Sequence, residues 1–226
     1  MKVATILKST ALSGFAALLM PIVGSAAISL NTSNALSNIF QQKLDTPCVI
    51  GNDSCNEPAG FDDKEDPNGR NYPYTSPVYK AVGSFTTYSG DLIPTSFKVG
   101  IDVNFATGQG VETLIAFQTL LCTDSTGTTC SVDTANSYDG GSAGTPFANN
   151  DNGNGFSDAT LGTFALTAGS FYKFVANVGN DSDGMEQFFL IPAGTAPIPE
   201  PDSVFALAAG AGLIVAAAYR RRRNHA

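Results

Sequence analysis

The clearest hydrophobic pattern in the chain is the strict alternation of residues 95–105. Phe97, Val99, Ile101, Val103 and Phe105 fall on one side, and Lys98, Gly100, Asp102 and Asn104 fall on the other. A period of two residues is typical of a β-strand that is buried on one face only. We therefore predict a half-buried strand here, with its polar side toward solvent.

Further apolar segments, separated by turn residues, predict more strands. They cover residues 79–87, 111–122, 130–132, 159–166, 171–178 and 187–191. Residues 133–155 are rich in Gly, Asn, Asp and Ser and predict a loop. Short strands at this spacing, with no helical periodicity between them, are typical of an antiparallel β-sandwich or jelly roll. We expect a mostly β domain of that class.

The segment before these strands predicts a helix and then a loop. Leu36, Ile39, Phe40 and Leu44 follow helical spacing, with Ser33 or Asn34 available as a cap, so we predict one short N-terminal helix. Residues 45–77 carry repeated Pro and Gly and show no hydrophobic period, which predicts a long loop. Its acidic cluster at 62–66 is interpreted as a solvated charged stretch, and a cation site is the alternative.

The N-terminus has the features of a secretory signal peptide. Lys2 and Lys8 supply positive charge, residues 11–23 are largely apolar, and small residues at 24–27 suit signal peptidase. We predict a signal peptide at 1–26, a secreted β-rich domain at 27–195 and a separate C-terminal segment at 196–226. A domain of that length is long enough to bury a core of its own.

The C-terminal segment combines three features in a fixed order. Pro199, Glu200 and Pro201 come first, an apolar run at 204–219 follows, and Arg220, Arg221, Arg222 and Arg223 come last. A bilayer core takes about 17 or more apolar residues as a helix, so the run predicts a short C-terminal transmembrane helix. Because arginine-rich flanks stay in the cytoplasm, we expect the domain before Pro199 to lie across the membrane.

This order resembles the PEP-CTERM sorting signal of Gram-negative bacteria, over about residues 197–226. The resemblance implies recognition by an exosortase, a membrane transpeptidase-like cysteine protease that cuts near the tripeptide. It also implies transient anchoring in the inner membrane, then release to the cell surface or extracellular matrix. Members of that family accompany exopolysaccharide production, biofilm and floc formation, so exopolysaccharide is an expected partner.

Charge and histidine content narrow the possible chemistry. Six of the twelve basic residues lie in the two end segments, against two of the twenty acids, which leaves six basic and eighteen acidic residues and a net charge of −12 between them. Such a balance disfavours nucleic-acid binding. The only histidine is His225, which excludes Ser-His-Asp and Cys-His catalysis from the secreted domain. We predict a non-enzymatic protein; a carboxylate-dependent glycosidase using Glu112 or Glu186 is a remote alternative.

The four cysteines predict disulfides, because the chain is expected in an oxidising compartment. Local bridges, Cys48 to Cys55 and Cys122 to Cys130, are the favoured pairing, since each encloses a turn-rich stretch. The alternative is a long-range bridge that ties the N-terminal segment to the core.

One loop has a pattern that suits a cation. Asn150, Asn152, Asn154 and Asp158 space oxygen ligands as in a calcium loop, and Gly155 permits the bend. Position 161 is Leu where an EF-hand has its bidentate glutamate, so an EF-hand is rejected and a weaker calcium site is the hypothesis. The competing interpretation is a turn in which Asn and Gly tolerate positive φ. No other cofactor is predicted.

Together these features predict an exported cell-surface or extracellular-matrix protein with a structural or adhesive role in a biofilm or floc. The alternative is a carbohydrate- or calcium-binding adhesion module of the same fold class. Tyrosines and phenylalanines in the domain could line a sugar-binding groove, although core packing explains most of them.

Overall fold

The computed structural model describes residues 28–33, 35, 38–51, 55, 58, 61, 73–83, 88, 90–103, 111–147, 155–180 and 185–197. Within them the chain forms twelve strands and a short 3-10 helix at Thr134–Asn136. The strands are β1 (Leu30–Asn31), β2 (Cys48–Ile50), β3 (Tyr74–Val82), β4 (Leu92–Pro94), β5 (Ser96–Asp102), β6 (Thr113–Cys122), β7 (Cys130–Val132), β8 (Tyr138–Asp139), β9 (Thr145–Pro146), β10 (Ala159–Ala165), β11 (Phe171–Gly179) and β12 (Gln187–Pro192). The prediction of a mostly β domain is confirmed.

The strands form two sheets in a sandwich-like arrangement. The five-stranded sheet has the order β1-β10-β5-β12-β2, with antiparallel pairing throughout. The seven-stranded sheet has the order β4-β3-β11-β6-β7, and β8 and β9 also pair with β6. Its β3–β4 pair is parallel, so this sheet is mixed rather than purely antiparallel as predicted.

Aromatic side chains from both sheets fill the space between them. Phe97 and Phe164 of the five-stranded sheet stack with ring centroids 5.2 Å apart, and Phe188 lies 5.4 Å from Phe117 of the seven-stranded sheet. Phe174 of β11 contacts both Phe97 and Phe117. Each such pair contributes about 0.5–1.5 kcal/mol beyond the burial of its area, so these rings join the sheets into one core.

A second, smaller apolar cluster covers the outside of the five-stranded sheet. It consists of Phe40, Cys48, Phe189 and Ile191, with Cys55 packed against it. Residues 38–47, which we call the strap, run over this outer face and supply Phe40. Gly100 of β5 makes room for the cover, because a Cβ atom there would overlap the Phe189 ring.

The predicted N-terminal helix is wrong. The described residues of this segment instead form β1 and isolated bridges of Gln41 with Phe156 and of Lys43 with Thr46. The supposed apolar helix face is not buried as a unit, since Phe40 is 3% exposed and Leu44 is 61% exposed. The strap directs its backbone hydrogen bonds to residues 155–157, and this tertiary pairing overrides the helical spacing.

The loop predictions need two corrections. Residues 45–77 include β2 and the start of β3, which begins at Tyr74 rather than at 79. Pro77 fits inside β3 because the pairing with β11 shifts register between Thr75 and Val78, so the proline lies in an irregular part of the ladder. The predicted loop 133–155 contains β8 and β9, which are two-residue strands along the edge of β6.

The signal peptide at 1–26 and the C-terminal run at 204–219 lie outside the described residues. Among the residues that the structure does describe, we find no helix that is both long enough and apolar enough to cross a membrane.

Candidate functional site

Strand order brings several acidic residues to one end of the sandwich. β5 ends at Asp102, which lies opposite Gln187 at the start of β12. Asp158 immediately precedes β10, the other neighbour of β5, and Glu186 immediately precedes β12. β11 of the other sheet ends at Gly179, a few residues before β12 begins at Gln187. Glu112 joins the same end, because the adjacent Thr113 pairs with Gly179 at the end of β11.

Asp102 is a buried carboxylate with a raised pKa at this end of the sandwich. It is only 6% exposed, and its Oδ2 accepts a 2.6 Å hydrogen bond from the backbone N–H of Gly155. Burial raises the pKa of Asp102 to about 6; the Gly155 hydrogen bond opposes this shift and the charge of Asp158 adds to it. Gly155 has φ of +81°, a conformation that glycine adopts readily and that turns its amide into the site.

Asp158 also joins the end of β5 to the chain before β10. Its Oδ2 accepts a hydrogen bond of 3.0 Å from Val103 N–H, and its own N–H donates to the Ile101 carbonyl over 2.8 Å. Asp102 therefore holds the chain before β10, and Asp158 holds the chain after β5. The two carboxylates act as reciprocal clamps between a strand end and a loop.

Of the predicted calcium ligands, only Asp158 is placed; Asn150, Asn152 and Asn154 lie outside the described residues. Within the described ranges, no group of three or more Asp, Glu, His or Cys is arranged to hold a metal ion. Positive φ at Gly155 agrees both with a cation loop and with an ordinary turn, so the calcium site stays a prediction.

The two glutamates of the glycosidase alternative are deeply buried. Glu112 and Glu186 are both 0% exposed. A general acid or nucleophile has to reach the glycosidic oxygen or the anomeric carbon of its substrate. In this conformation neither carboxylate presents a surface to a glycan.

Several aromatic residues considered for a sugar-binding groove belong to the core. Phe61 stacks on Tyr79 with ring centroids 5.2 Å apart and meets Tyr88 edge to face at 5.5 Å. Tyr74 and Tyr79 are at most 1% exposed. These rings pack the interior and do not line an open surface.

Both disulfides have the predicted local pairing. Cys48 bonds to Cys55 beside the strap, and Cys122 bonds to Cys130 across the β6–β7 hairpin. The hairpin folds back over the seven-stranded sheet, and its tip residue, Gly127, lies close to the Val78 side chain of β3. A Cβ atom at residue 127 would overlap that side chain. Two disulfides are consistent with an oxidising, extracellular environment.

The remaining predicted site residues, those of the sorting motif, lie outside the described residues. Sequence reasoning missed Asp102, which was assigned to the solvent side of its strand. The continuous apolar run 188–191 predicts that its strand is covered on both faces, because such runs are typical of strands buried on both sides. That pattern is the sequence signal for a buried Asp102. A covered outer face on β12 implies a covered outer face on the neighbouring β5.

Comparison with known proteins gives no relative for this chain: no protein-family model, no curated protein and no solved structure matches it.

Proposed function

We propose that the chain is an exported cell-surface or extracellular-matrix protein that an exosortase sorts and processes at its C-terminus. The observation that carries this proposal is the ordered tail of Pro199-Glu200-Pro201, apolar run and four arginines, which resembles a PEP-CTERM signal. In this proposal signal peptidase removes 1–26, and the C-terminal helix holds the protein in the inner membrane until the exosortase acts.

Within the matrix, the proposed role is structural or adhesive and non-enzymatic. The net charge of −12 between the end segments favours a hydrated protein that stays soluble among polysaccharides. Two local disulfides support residence outside the cytoplasm, because glutathione and thioredoxin keep most cytosolic thiols reduced. Expected partners are the two processing enzymes and exopolysaccharide, not nucleic acid.

Mutation of the tripeptide tests the sorting step. The triple variant P199A/E200A/P201A should remain in the membrane fraction at its unprocessed mass, whereas the wild type is released. The matched control is Pro197→Ala, which changes a proline just upstream and should be released like the wild type. Release of the triple variant at wild-type level would contradict the proposal.

The alternative function is a carbohydrate- or calcium-binding adhesion module. The observation in its favour is the buried pair Asp102 and Asp158, because a bound cation relieves repulsion between neighbouring carboxylates. Calorimetry with calcium tests it: heat of binding and a raised Tm that Asp158→Asn abolishes, while exposed Asp139→Asn retains both, would favour calcium. Absence of both effects in the wild type removes the cation site.

Glycan binding needs its own measurement. Co-sedimentation of the purified protein with exopolysaccharide distinguishes an adhesive module from a purely structural one. Turnover of a matrix glycan that E112Q or E186Q abolishes would instead restore the glycosidase alternative.

A further inference from the structure

The last part of β10, residues 163–165, lies on the outer edge of the five-stranded sheet, and we call it the β10 edge. The terminal strand β1 has only two residues and pairs with β10 at Thr160 and Leu161. The Ser29 carbonyl accepts one further hydrogen bond, from Gly162 N–H over 2.8 Å. In the part of the chain that the structure describes, strand pairing on this side of β10 therefore stops at Gly162.

At Ala165 a side chain takes the place of the missing strand. Ala165 N–H donates to Asn136 Oδ1 over 2.7 Å, and Asn136 Nδ2 donates to the Ala165 carbonyl over 3.0 Å. Directly opposite residues of an antiparallel pair exchange the same two hydrogen bonds. The Asn136 amide thus satisfies both backbone groups of Ala165 as a residue of a further strand would.

Contacts with the seven-stranded sheet hold the Asn136 amide in this position. Asn136 is buried, and its Nδ2 also donates to Asp133 Oδ2 over 2.9 Å. Asp133 N–H donates to the Thr119 carbonyl of β6 over 2.8 Å, and Thr119 N–H donates to the Ser137 hydroxyl over 2.9 Å. The turn at 133–137 therefore carries Asn136 from β6 to an edge of the other sheet.

The β10 edge itself has few features that would keep another strand away. Natural edge strands are blunted by charged residues, proline or bulges. β10 contains no charged residue and no proline. It has a bulge between Leu161 and Phe164, but Thr163 and Ala165 are small and exposed. The Asn136 amide is therefore the contact that a new strand would have to displace at Ala165.

We propose that the β10 edge is a latent interaction surface for a second copy of this chain, and that the Asn136 amide keeps it closed. A second copy fits because its own β10 edge presents the same backbone N–H and C=O groups. Two copies related by a two-fold axis pair their edges antiparallel, so that each Ala165 exchanges its two hydrogen bonds with the Ala165 of the other copy. This surface is independent of C-terminal processing.

Sedimentation velocity of the full-length protein tests the surface, with all variants in one buffer and detergent. Asn136→Ala should lower the Kd of the dimer by roughly tenfold or more relative to wild type, because it frees two hydrogen-bonding groups in each copy. The matched control is Asn177→Ala, since Asn177 lies on β11 in the other sheet and should leave association unchanged. The double variant N136A/T163K should return to the wild-type Kd, because an edge lysine opposes pairing.

Hydrogen exchange distinguishes an opened edge from general unfolding. In dilute N136A protein, the Ala165 amide should exchange roughly tenfold faster than in wild type or more, whereas β11 amides should stay within about twofold. If N136A does not fold, Asp133→Ala takes its place. That change removes the hydrogen bond that orients the Asn136 amide and should move both readouts in the same direction.

Three results overturn the proposal. The first is an Ala165 amide that exchanges at the wild-type rate without the Asn136 amide, or whose faster exchange is matched by β11. The second is an opened edge, with fast Ala165 exchange, that leaves the Kd of the dimer unchanged. The third is association of N136A that Thr163→Lys does not reduce, because the copies would then meet through another surface.

Discussion

The outer faces of the two sheets differ, and the central strands β11 and β12 show how. Along β11, from Phe171 to Gly179, buried and half-buried residues alternate without interruption, so one face packs and the other meets solvent. In β12, Gln187 to Ile191 are all buried, because the strap covers the face that would otherwise be exposed. The same fold therefore contains one sheet covered on a single face and one whose second face is partly covered as well.

Period-two alternation along a strand therefore depends on how each face of the sheet is covered, and not only on the presence of a strand. The β5 sequence alternates as β11 does, yet its outer side is partly covered: Gly100 is buried under Phe189, and Asp102 lies beneath residues 155–157. Lys98 on the same side stays exposed to solvent, and its ammonium group lies over the Phe40 ring, 5.9 Å from the ring centroid.

The largest expected effect comes from emptying the outer cluster. Phe189→Ala removes a fully buried ring and should lower the free energy of unfolding by about 3–5 kcal/mol. The matched change on the open sheet is Val175→Ala, at a half-buried outer position of β11, which should cost about 1 kcal/mol or less. Chemical denaturation measures both, and equal losses would break the comparison.

Filling the space above β5 should have the next largest effect. Gly100→Ala places a methyl group where the Phe189 ring lies, so we expect a loss of about 1–3 kcal/mol from overpacking. Gly83 has nothing within 4 Å of an added Cβ atom, which makes Gly83→Ala the control. If both alanine variants unfold at the same denaturant concentration, the Phe189 ring does not occupy the position described.

The Asp102 carboxylate should give the outer cover a pH dependence. Its folded pKa of about 6 exceeds the ordinary value of 3.8, so its contribution to stability is fully present below pH 3.8 and is lost as pH rises through 6. Asp102→Asn carries no charge, and its free energy of unfolding relative to wild type should rise by roughly 2 kcal/mol between pH 4 and pH 7.

Urea denaturation at several pH values measures this difference. The control is Asp139→Asn, because Asp139 is exposed and should follow the wild type throughout. A difference for Asp102→Asn that stays constant, or that falls as pH rises, would mean that this carboxylate is not held in the buried clamp with Gly155.

The smallest effect is expected on the β6–β7 hairpin, over the open sheet. Thr126 donates hydrogen bonds from its N–H and hydroxyl to Asp124 Oδ1, at 2.8 and 2.6 Å, in fully exposed surroundings. Thr126→Ala removes the hydrogen bonds of its hydroxyl to Asp124 and Thr128 and should change stability by about 0.5 kcal/mol or less. A loss in free energy of unfolding comparable to that of Phe189→Ala would contradict the expectation that this hairpin contributes little to stability.

Local patterns were enough to predict much of this fold. Alternation identified β5, and an apolar segment between turn residues identified β11. The turn-rich stretches between neighbouring cysteines identified both disulfides. The prediction of an N-terminal helix failed because tertiary contacts determine the conformation of that segment. Phe40 fitted a helical period, but its backbone bonds to Ser157, more than a hundred residues away. No single-sequence pattern carries that pairing.

The candidate site shows the same limit. Asp158 was found because it follows a run of closely spaced Asn and Gly, whereas Asp102 was missed because its neighbours along the chain are apolar. What perturbs Asp102 is burial beneath residues 155–157 and the charge of Asp158, both set by the pairing of β5 with β10. A pKa shift that depends on which strands are neighbours cannot be predicted from the spacing of residues along the sequence.

The most direct test of the proposed sorting and processing is the intact mass of the protein recovered from the cell surface or surrounding matrix. We expect a form that begins near residue 27 and ends near Pro199–Pro201, without the arginine tail. A protein that retains Arg220 to Arg223 and stays in the membrane fraction would contradict C-terminal processing and leave the tail as a permanent anchor.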